Sequence, residues 1–466
     1  MQRRLALDDS RPVWRSMLVF LVPLMLSNIL QSASGTIGSI YLGRLIGVRA
    51  LAAASSFFPI IFFMIAFFIG IASASSVLIG QAYGARDEER LKAVAGTTLA
   101  VSIGSGVLVA IGSIWFLPPL LHLIGTPADV FGDALAYAHV LFYSLPLLFV
   151  YIAYTTFVRG TGDSRTPFLA LIVSTVLILA FTPALIRGWL GLPQLGIVGA
   201  GLANVFANFV ALVFLLVALA REKNPLALDM SIVRHMNIEP KLLATLVRIG
   251  IPTGIQMVMV SLAEVAVISL VNRFGSGATA AYGAVNQIVS YVQFPAISIG
   301  IAASIFGAQS IGAQRFDRLR KIARAGITLN WVICGILIVV VYLLNDAILS
   351  LFITDPKVVA TAHELLAITL WSYVIFGTSA VLSGLMRSSG TVLWPTALSV
   401  LAIWGVEVPV AYALAPHYGL RGVWFAYPVA FCASLLFQTT FYYAFWRRKR
   451  LTTLLGDTKP AEPLAT

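Results

Sequence analysis

Twelve long apolar runs, separated by short polar connections, make up most of this chain of 466 residues. A helix needs about 20 apolar residues to cross the hydrocarbon core of a bilayer. The runs fall at residues 14–41, 50–80, 94–117, 134–157, 167–187, 197–220, 243–271, 280–305, 322–345, 361–385, 394–415 and 422–446. The pattern therefore predicts an all-α polytopic membrane protein with twelve transmembrane helices.

The longest polar connection follows the sixth run and divides the others into two sets of six. Its position is typical of a linker between two halves of a membrane protein. The pattern predicts a cytoplasmic segment 1–13, an amino-terminal lobe 14–220, a cytoplasmic linker 221–241, a carboxyl-terminal lobe 242–446 and a cytoplasmic tail 447–466.

Composition and charge agree with a membrane location. Hydrophobic residues make up 59% of the chain and charged residues 11%, whereas a soluble domain has roughly 25% charged residues. If both termini are cytoplasmic, 25 of the 31 lysines and arginines lie on the inner side, as the positive-inside rule requires. The net charge of +12 does not indicate nucleic-acid binding, because the basic residues are spread over short loops instead of forming one patch.

The two halves share short motifs at a nearly constant separation. Residues of GQAYGARDEERL around Gln81 reappear 228 positions later around Gln309, and Gly84 thereby aligns with Gly312. The RGTGDSRTP loop aligns with RSSGTVLWP at the same separation. Because each half has six spans, the copies are parallel repeats. Transporters built from repeats bind substrate and coupling ion near mid-membrane at the repeat interface, so we expect transport by alternating access.

These motifs resemble the signatures of the multidrug and toxic compound extrusion (MATE) family. The matching stretches are FVRGTGDSRTP, GQAYGARDEERLKA, IPTGIQMVMVSLAE and YGAVNQI. The resemblance covers nearly the whole chain. It implies a two-lobe antiporter of the bacterial inner membrane that exports organic, often cationic and aromatic, compounds in exchange for H⁺ or Na⁺. We expect a monomer without a cofactor, whose partners are drug-like substrates, the coupling ion and membrane lipids.

The first span departs from the family pattern. Bacterial relatives commonly carry an aspartate six residues before the glycine-arginine that ends this helix. Here the stretch GTIGSIYLGR places Gly38 at that position, and the span has no acidic residue. The usual proton site of the amino-terminal lobe is therefore not expected in its ordinary form.

Glu264 is the single charged residue of MVMVSLAEVAVISLV in the seventh span. A carboxylate at the centre of a transmembrane helix costs about 3 kcal/mol on insertion scales, so it is a candidate for function. It could exchange protons or coordinate Na⁺, and it matches the seventh-helix glutamate of many MATE relatives. The alternative is a hydrogen bond that serves helix packing. Its counterpart in the first half, at a separation of 229, is Gly35, so the two lobes differ chemically.

Glu407 lies about 13 residues into the eleventh span, with Pro409 shortly after it. Ion coupling and a structural bond to a freed backbone group both fit this position. Neutral polar residues complete the candidate binding set, namely Asn28, Gln31, Asn204, Asn208, Gln256, Asn286, Gln287 and Tyr291. Singly, each is typical of hydrogen bonding between helices. As a set, they could orient groups in a binding chamber.

The inner-loop motif after the fourth span consists of Arg159, Gly160, Gly162 and Asp163. We expect a hinge or cap there instead of a ligand site. Arg159 and Asp163 are near enough in sequence to pair.

Two other functions remain open. A flippase for lipids or lipid-linked oligosaccharides, from the same superfamily, would need a cavity rich in arginine and lysine, and neither residue lies deep within a span. A membrane-embedded enzyme would need clustered His, Asp or Cys, but the five histidines are scattered and the two cysteines lack metal-ligand spacing. No phosphate-binding loop or catalytic triad appears. We therefore expect a transporter that is neither an enzyme nor driven by ATP, with Na⁺ near Glu264 as the one candidate metal.

Overall fold

A computed structural model describes residues 10–191, 193–350, 352–353 and 355–456, without the side chains of residues 48, 49, 51, 52, 55–58 and 190. Parts of the predicted segment 1–13 and tail 447–466 thus lie outside the described residues. The α-helices are α1 Val13–Tyr41, α2 Val48–Ala85, α3 Glu88–Leu123, α4 Phe131–Tyr143, α5 Leu145–Gly160, α6 Arg165–Arg187, α7 Gly196–Arg221, α8 Met230–Arg234, α9 Pro240–Asn272, α10 Ser276–Gly312, α11 Asp317–Leu343, α12 Asn345–Ser350, α13 Pro356–Thr369, α14 Tyr373–Arg387, α15 Leu393–Ala402, α16 Val408–Tyr418 and α17 Leu420–Ala444. Short π-helical turns follow α1, at Leu42–Ile46, and α15, at Ile403–Glu407.

The described helices supply the twelve predicted spans. Eleven stretches are long and apolar enough to cross a bilayer, and two of these join α13 to α14 and α15 to α16. The remaining span, which is the fourth in chain order, consists of α4 and α5, and the two helices are bent by 48° at their junction. Pro146 lies in the first turn of α5 and removes a backbone donor there. A methyl group on Gly106 of α3 would collide with the Pro146 backbone, so α3 and α5 are in close contact at the bend.

Several helices extend beyond the apolar runs that predicted them. α3 begins at Glu88, although the run begins at residue 94, and α10 continues to Gly312 although the run ends at residue 305. Asp87 caps α3, because its Oδ1 accepts a hydrogen bond from the Arg90 amide at 3.0 Å. Apolarity marks the part of a helix within hydrocarbon, whereas capping decides where the helix ends.

The chain divides into two compact units. As far as they are described, Met1–Met25, Gly80–Arg86 and Pro252–Thr466 form the carboxyl-terminal unit, and Leu26–Ile79 and Asp87–Ile251 form the amino-terminal unit. α1, α2 and α9 therefore contribute residues to both units. The divisions of α1 and α9 fall near the repeat-related prolines Pro23 and Pro252, where a helix lacks a backbone donor. The lobe boundaries at residues 220 and 242 stay predictions.

The first turns of α1 are part of the core of the carboxyl-terminal unit. Met17, Phe20 and Leu24 are at most 1% exposed and share a cluster with residues of α10, α11 and α14. Phe20 meets Phe306 edge to face, with ring centroids 5.8 Å apart. Close packing of this kind is a main source of helix association within membranes.

The repeated glycine motif forms a reciprocal crossing of α2 and α10 in the carboxyl-terminal unit. A methyl group on Gly84 would collide with the backbone carbonyl of Gln309, and one on Gly312 would collide with that of Gln81. The two contacts are related by the 228-residue separation of the repeats. Only a residue without Cβ allows two helix backbones to approach so closely.

The connection between the halves is a folded part of the amino-terminal unit. Asp229 caps α8 by accepting a hydrogen bond from the Ile232 amide at 2.8 Å, and Lys92 of α3 donates to the same carboxylate at 3.3 Å. The Ile232 amide first, and Lys92 after it, hold the pKa of the Asp229 carboxyl below its usual value. Gly96 of α3 lies against the His235 carbonyl with no space for a methyl group. The connection is therefore docked on α3.

Candidate functional site

Glu264 lies in the second half of α9, and its side chain is exposed at the surface of the carboxyl-terminal unit. Two residues of the eleventh span are bonded to the α9 backbone on either side of it. Trp404 Nε1 donates to the Met259 carbonyl at 3.0 Å, and the Tyr412 hydroxyl donates to the Ala266 carbonyl at 3.2 Å. Carbonyl oxygens within a helix keep a second lone pair for such bonds. The eleventh span is thereby joined to α9 around Glu264.

Glu407 is the last residue of the π-helical turn and is only 7% exposed. The Val408 amide donates to the Ile403 carbonyl, five residues earlier, where an α-helix would use four. Pro409 has no backbone N–H, so the carbonyl four residues before it lacks its ordinary α-helical partner. π turns of this kind are frequent at functional sites. The turn places a carboxyl group in the core of the unit.

The structure brings the two predicted carboxylates together. Glu264 and Glu407 lie close enough for their charges to interact. Both also interact electrostatically with Tyr282 and Tyr373, and Glu407 interacts with Tyr427. The hydroxyls of Tyr282 and Tyr427 are hydrogen-bonded at 2.8 Å. Two acidic residues and three tyrosines, from five different helical segments, thus form one cluster.

A small cavity lies beside the three tyrosines of this cluster. Its lining consists of Tyr282, Val285, Asn286, Val289, Leu365, Thr369, Tyr373 and Tyr427. The Asn286 side chain is hydrogen-bonded to Tyr282, whose ring is stacked on Trp424 with centroids 5.9 Å apart. Hydroxyl and amide groups are therefore concentrated around one space in an otherwise apolar core. Their oxygen atoms are of the type that hard cations prefer as ligands.

Neither carboxylate has a basic partner in the described part of the chain. The ion pairs there involve other acidic residues, such as Asp229 with Lys92 and Glu364 with Arg421. Within the same residues, no three His, Cys, Asp or Glu side chains are grouped so that they could hold a metal ion. Two interacting carboxylates without a counter-ion are costly to keep charged when one of them is buried, as Glu407 is.

The other polar residues predicted in this unit lie at varying distances from the cluster. Asn286 lines the cavity, whereas Gln287 and Tyr291 of the same helix do not. Tyr291 is 40% exposed and meets Phe294 edge to face. Gln256 accepts a long hydrogen bond of 3.5 Å from Arg387. Of these predicted residues, only Asn286 lines the cavity beside the tyrosines.

The tyrosines were missed by sequence reasoning. Tyr282 opens the YGAVNQI motif and lies four residues before Asn286, so helical spacing places both side chains on one face. That spacing could have identified Tyr282 as a candidate for the same site as Asn286. Nothing in the sequence around Tyr373 or Tyr427 indicated that these residues would join the site.

In the amino-terminal unit, polar side chains of α6 and α7 form a hydrogen-bonded network. Asn208 Nδ2 donates to Asn204 Oδ1 at 2.9 Å, and Ser174 Oγ donates to Asn208 Oδ1 at 3.4 Å. The two asparagines therefore share a face of the helix, as their spacing predicts. The bonded groups satisfy one another, which is typical of helix packing.

The first span has polar side chains and glycines with free space around them, but no acidic side chain. Asn28 is half-buried and Gln31 is exposed on α1. At Gly35 and Gly38, no described atom lies within 4 Å of the place where a Cβ would stand. Both positions therefore have space for a Cβ, but the sequence has glycine there.

Asp163 of the inner-loop motif is near enough in sequence to pair with Arg159, but the two form no ion pair within the described residues. Its Oδ1 instead accepts hydrogen bonds from the amides of Arg165 at 2.8 Å and Thr166 at 3.1 Å. These amides at the start of α6 have no partner within the helix and lie close by, so the short carboxylate caps them. Gly162, with φ +91°, makes the tight turn before the cap. The motif thus forms a capped connection between α5 and α6, and its role as an inner hinge or cap stays a prediction.

The repeats seen in the sequence are those of a known family. The family model described as MatE matches residues 23–184 and, a second time, residues 252–413. The chain therefore belongs to the MatE family, which confirms the resemblance in the sequence motifs. The two matches begin at the repeat-related prolines Pro23 and Pro252.

Relatives match this chain over nearly its whole length. It is 54% identical to the probable multidrug resistance protein YoeA of Bacillus subtilis, over 96% of this chain and 97% of that protein. It is 24% identical to the multidrug export protein MepA of Staphylococcus saprophyticus, over 89% of this chain and 90% of that protein.

Solved structures share the fold. The Vibrio cholerae MATE transporter VcmN has a TM-score of 0.87 at 20% identity, with 94% of this chain and 98% of that chain covered. An outward-facing multidrug resistance MATE family transporter has a TM-score of 0.84 at 21% identity, with 94% and 97% covered. The fold is thus the all-α, twelve-helix, two-lobe fold of MATE transporters.

Proposed function

We propose that this chain is a secondary-active multidrug exporter that exchanges organic, often cationic and aromatic, compounds for H⁺ or Na⁺. Family membership and the names of YoeA and MepA support export of drug-like compounds. The excess of lysine and arginine on one side supports an inner-membrane orientation with both termini cytoplasmic. The observation that carries ion coupling is the proximity of Glu264 to Glu407, with no basic partner for either among the described residues.

Coupling requires that a cation bound at Glu264 favours one facing state over the other. A ligand shifts a conformational equilibrium only by the difference between its affinities for the two states. One elementary charge moving through 100 mV supplies about 2.3 kcal/mol. This energy would support roughly a fiftyfold gradient of a neutral solute under tight coupling. An acidic cluster does not suit the pyrophosphate of a lipid-linked oligosaccharide, so export is preferred to flipping.

The test is export of ethidium, a fluorescent organic cation, by purified protein in liposomes. A pH gradient and a Na⁺ gradient are imposed in separate experiments on wild type, Glu264→Gln and the control Glu239→Gln. Glu239 is exposed and lies next to the start of the same helix. We expect Glu264→Gln to bind ethidium but to lose gradient-driven export, while the control exports as wild type does. Normal export by Glu264→Gln under both gradients would refute the assignment.

A further inference from the structure

We propose that the basic segment 447–450, which directly follows the last span, is a preformed binding site for the headgroup of an anionic phospholipid. The segment consists of Arg447, Arg448, Lys449 and Arg450. It lies on a surface of the carboxyl-terminal unit away from the carboxylate cluster. The inference therefore goes beyond the proposed exchange function and does not depend on which cation drives export.

Exposed aromatic rings mark the level at which the last span reaches the membrane surface. Trp394 at the start of α15 is stacked on Phe441, with ring centroids 6.1 Å apart, and Phe441 is stacked on Phe445, with centroids 5.6 Å apart. Trp394, Tyr443 and Phe445 are all exposed. Tryptophan and tyrosine are enriched at the headgroup level of a bilayer. Because segment 447–450 follows directly, its charges lie at that level.

The positive charges of the segment are not neutralised by the described part of the chain. The ion pairs found there involve other residues, and none includes a side chain of segment 447–450. The Arg447 guanidinium lies 6.0 Å from the centre of the Tyr443 ring. The charges of Arg447 and of Arg320, in α11, both act on Tyr442. Four or more basic residues next to a transmembrane helix are the pattern that attracts anionic lipids.

A buried tryptophan holds the segment at its beginning. Trp446 opens a 3₁₀ turn that ends at Arg448, and its side chain is only 1% exposed. Its ring is stacked on Tyr442, with centroids 5.1 Å apart, and its Nε1 donates to Ser389 Oγ at 2.8 Å. The chain therefore leaves α17 in a fixed direction.

The residues after the segment are held as well. Leu451 is buried in the apolar core of the carboxyl-terminal unit. The Leu454 amide donates to Gln81 Oε1 at 2.8 Å, and Gln81 Nε2 donates to the Ser388 carbonyl at 2.9 Å. A methyl group on Gly390 would collide with the Leu454 side chain, so the two residues are in close contact. Segment 447–450 is thus a short bridge between two docked ends.

This anchoring separates a lipid site from a simple orientation signal. Orientation by the positive-inside rule requires only the charges. Here the fold already orders the backbone on both sides of them, so a ligand bound by these side chains does not have to order the chain. Guanidinium groups donate paired hydrogen bonds to phosphate oxygens. The phosphodiester of an anionic phospholipid has both the charge and the location that the segment requires.

The test measures lipid binding to the purified protein in a non-ionic detergent. The unfolding midpoint is followed against the concentration of phosphatidylglycerol, which is anionic, or phosphatidylcholine, which has no net charge. Arg447→Gln/Arg448→Gln is compared with the control Arg234→Gln/Lys241→Gln, which loses the same charge at exposed positions.

We expect wild type and control to bind phosphatidylglycerol in preference to phosphatidylcholine. The first variant should bind phosphatidylglycerol about thirtyfold more weakly. Equal affinities of the two variants, or no preference in wild type, would overturn the proposal. Inorganic phosphate alone should leave the midpoint unchanged. A rise equal to that caused by phosphatidylglycerol would show a site for free anions and would also overturn the proposal.

Two further variants test whether the site is preformed. Leu451→Ala keeps every charge but loosens the end of the segment, and Trp446→Phe keeps the buried ring but removes the hydrogen bond to Ser389. Each should bind phosphatidylglycerol several-fold more weakly, because the segment must then be ordered on binding. Unchanged affinity in both would mean that a mobile basic tail is sufficient and would refute the preformed site. Export driven by an ion gradient tests the proposed function separately.

Discussion

The two repeats can be compared directly at two places in the molecule. Where α2 and α10 cross, the copies are equivalent, because Gly84 lies against Gln309 and Gly312 against Gln81. In the first and seventh spans they are not, because Gly35 occupies the position that corresponds to Glu264. Residues common to both repeats serve close packing of helices. The residues by which the repeats differ form the cluster to which we assign ion coupling.

The polar groups of the two units differ in the same way. In the amino-terminal unit, Asn204, Asn208 and Ser174 bond to one another. In the carboxyl-terminal unit, Glu264 and Glu407 interact without a basic partner among the described residues. A satisfied network adds stability, whereas an uncompensated pair of carboxylates responds to cations. The comparison predicts that variants in the two units will affect different properties.

The largest effect on stability is expected for Gly312→Ala. The new methyl group would collide with the Gln81 carbonyl, and backbone cannot move aside as a flexible side chain can. Overpacking of this kind costs about 1–3 kcal/mol. The measurement is the unfolding midpoint of the purified protein in detergent. Gly283→Ala on the same helix is the control, since no described atom lies within 4 Å of its added Cβ, and equal midpoints for the two variants would contradict the role of the crossing.

A smaller effect is expected for Asn208→Ala in the amino-terminal unit. It removes the hydrogen bonds to Asn204 and Ser174, and such bonds between membrane helices contribute about 0.6 kcal/mol on average. The unfolding midpoint should fall slightly, while ethidium export should follow the imposed gradient as in wild type. Loss of gradient-driven export in this variant would break the comparison, because coupling would then depend on the amino-terminal unit.

An effect of similar, small size is expected for Asp229→Ala, and it should depend on pH. The Ile232 amide and Lys92 lower the pKa of this carboxyl. Its stabilisation is therefore fully present above the unfolded-state pKa and is lost as the pH falls through the lower, folded-state pKa. Since the side chain is 49% exposed, solvent screening limits the cost at pH 7 to about 0.5–1 kcal/mol. The measurement is the difference in unfolding midpoint between variant and wild type, at pH 7 and near pH 3. This difference should be larger at pH 7.

Local patterns predicted a large part of this molecule. Twelve apolar runs correspond to twelve spans because a bilayer requires about 20 apolar residues per helix, whatever the helix contacts. Glu264 and Glu407 were recognised because a carboxylate in an apolar run is conspicuous. Asp163 shows the limit of such reasoning. Its proximity to Arg159 along the chain suggested a pair, but the amides at the start of α6 were closer partners.

The amino-acid sequence alone was sufficient for the membrane class, the number of spans, the repeat and the family, because these depend on periodicity and on motifs that neighbouring residues form. Tertiary structure decided that the eleventh span is bonded to α9 on either side of Glu264. It also decided that the charges of Glu264 and Glu407 interact with tyrosines from three other helices, and that Gly84 and Gly312 form a crossing. Each of these features depends on contacts between helices distant along the chain. Helix packing sets those contacts, and no local pattern records them.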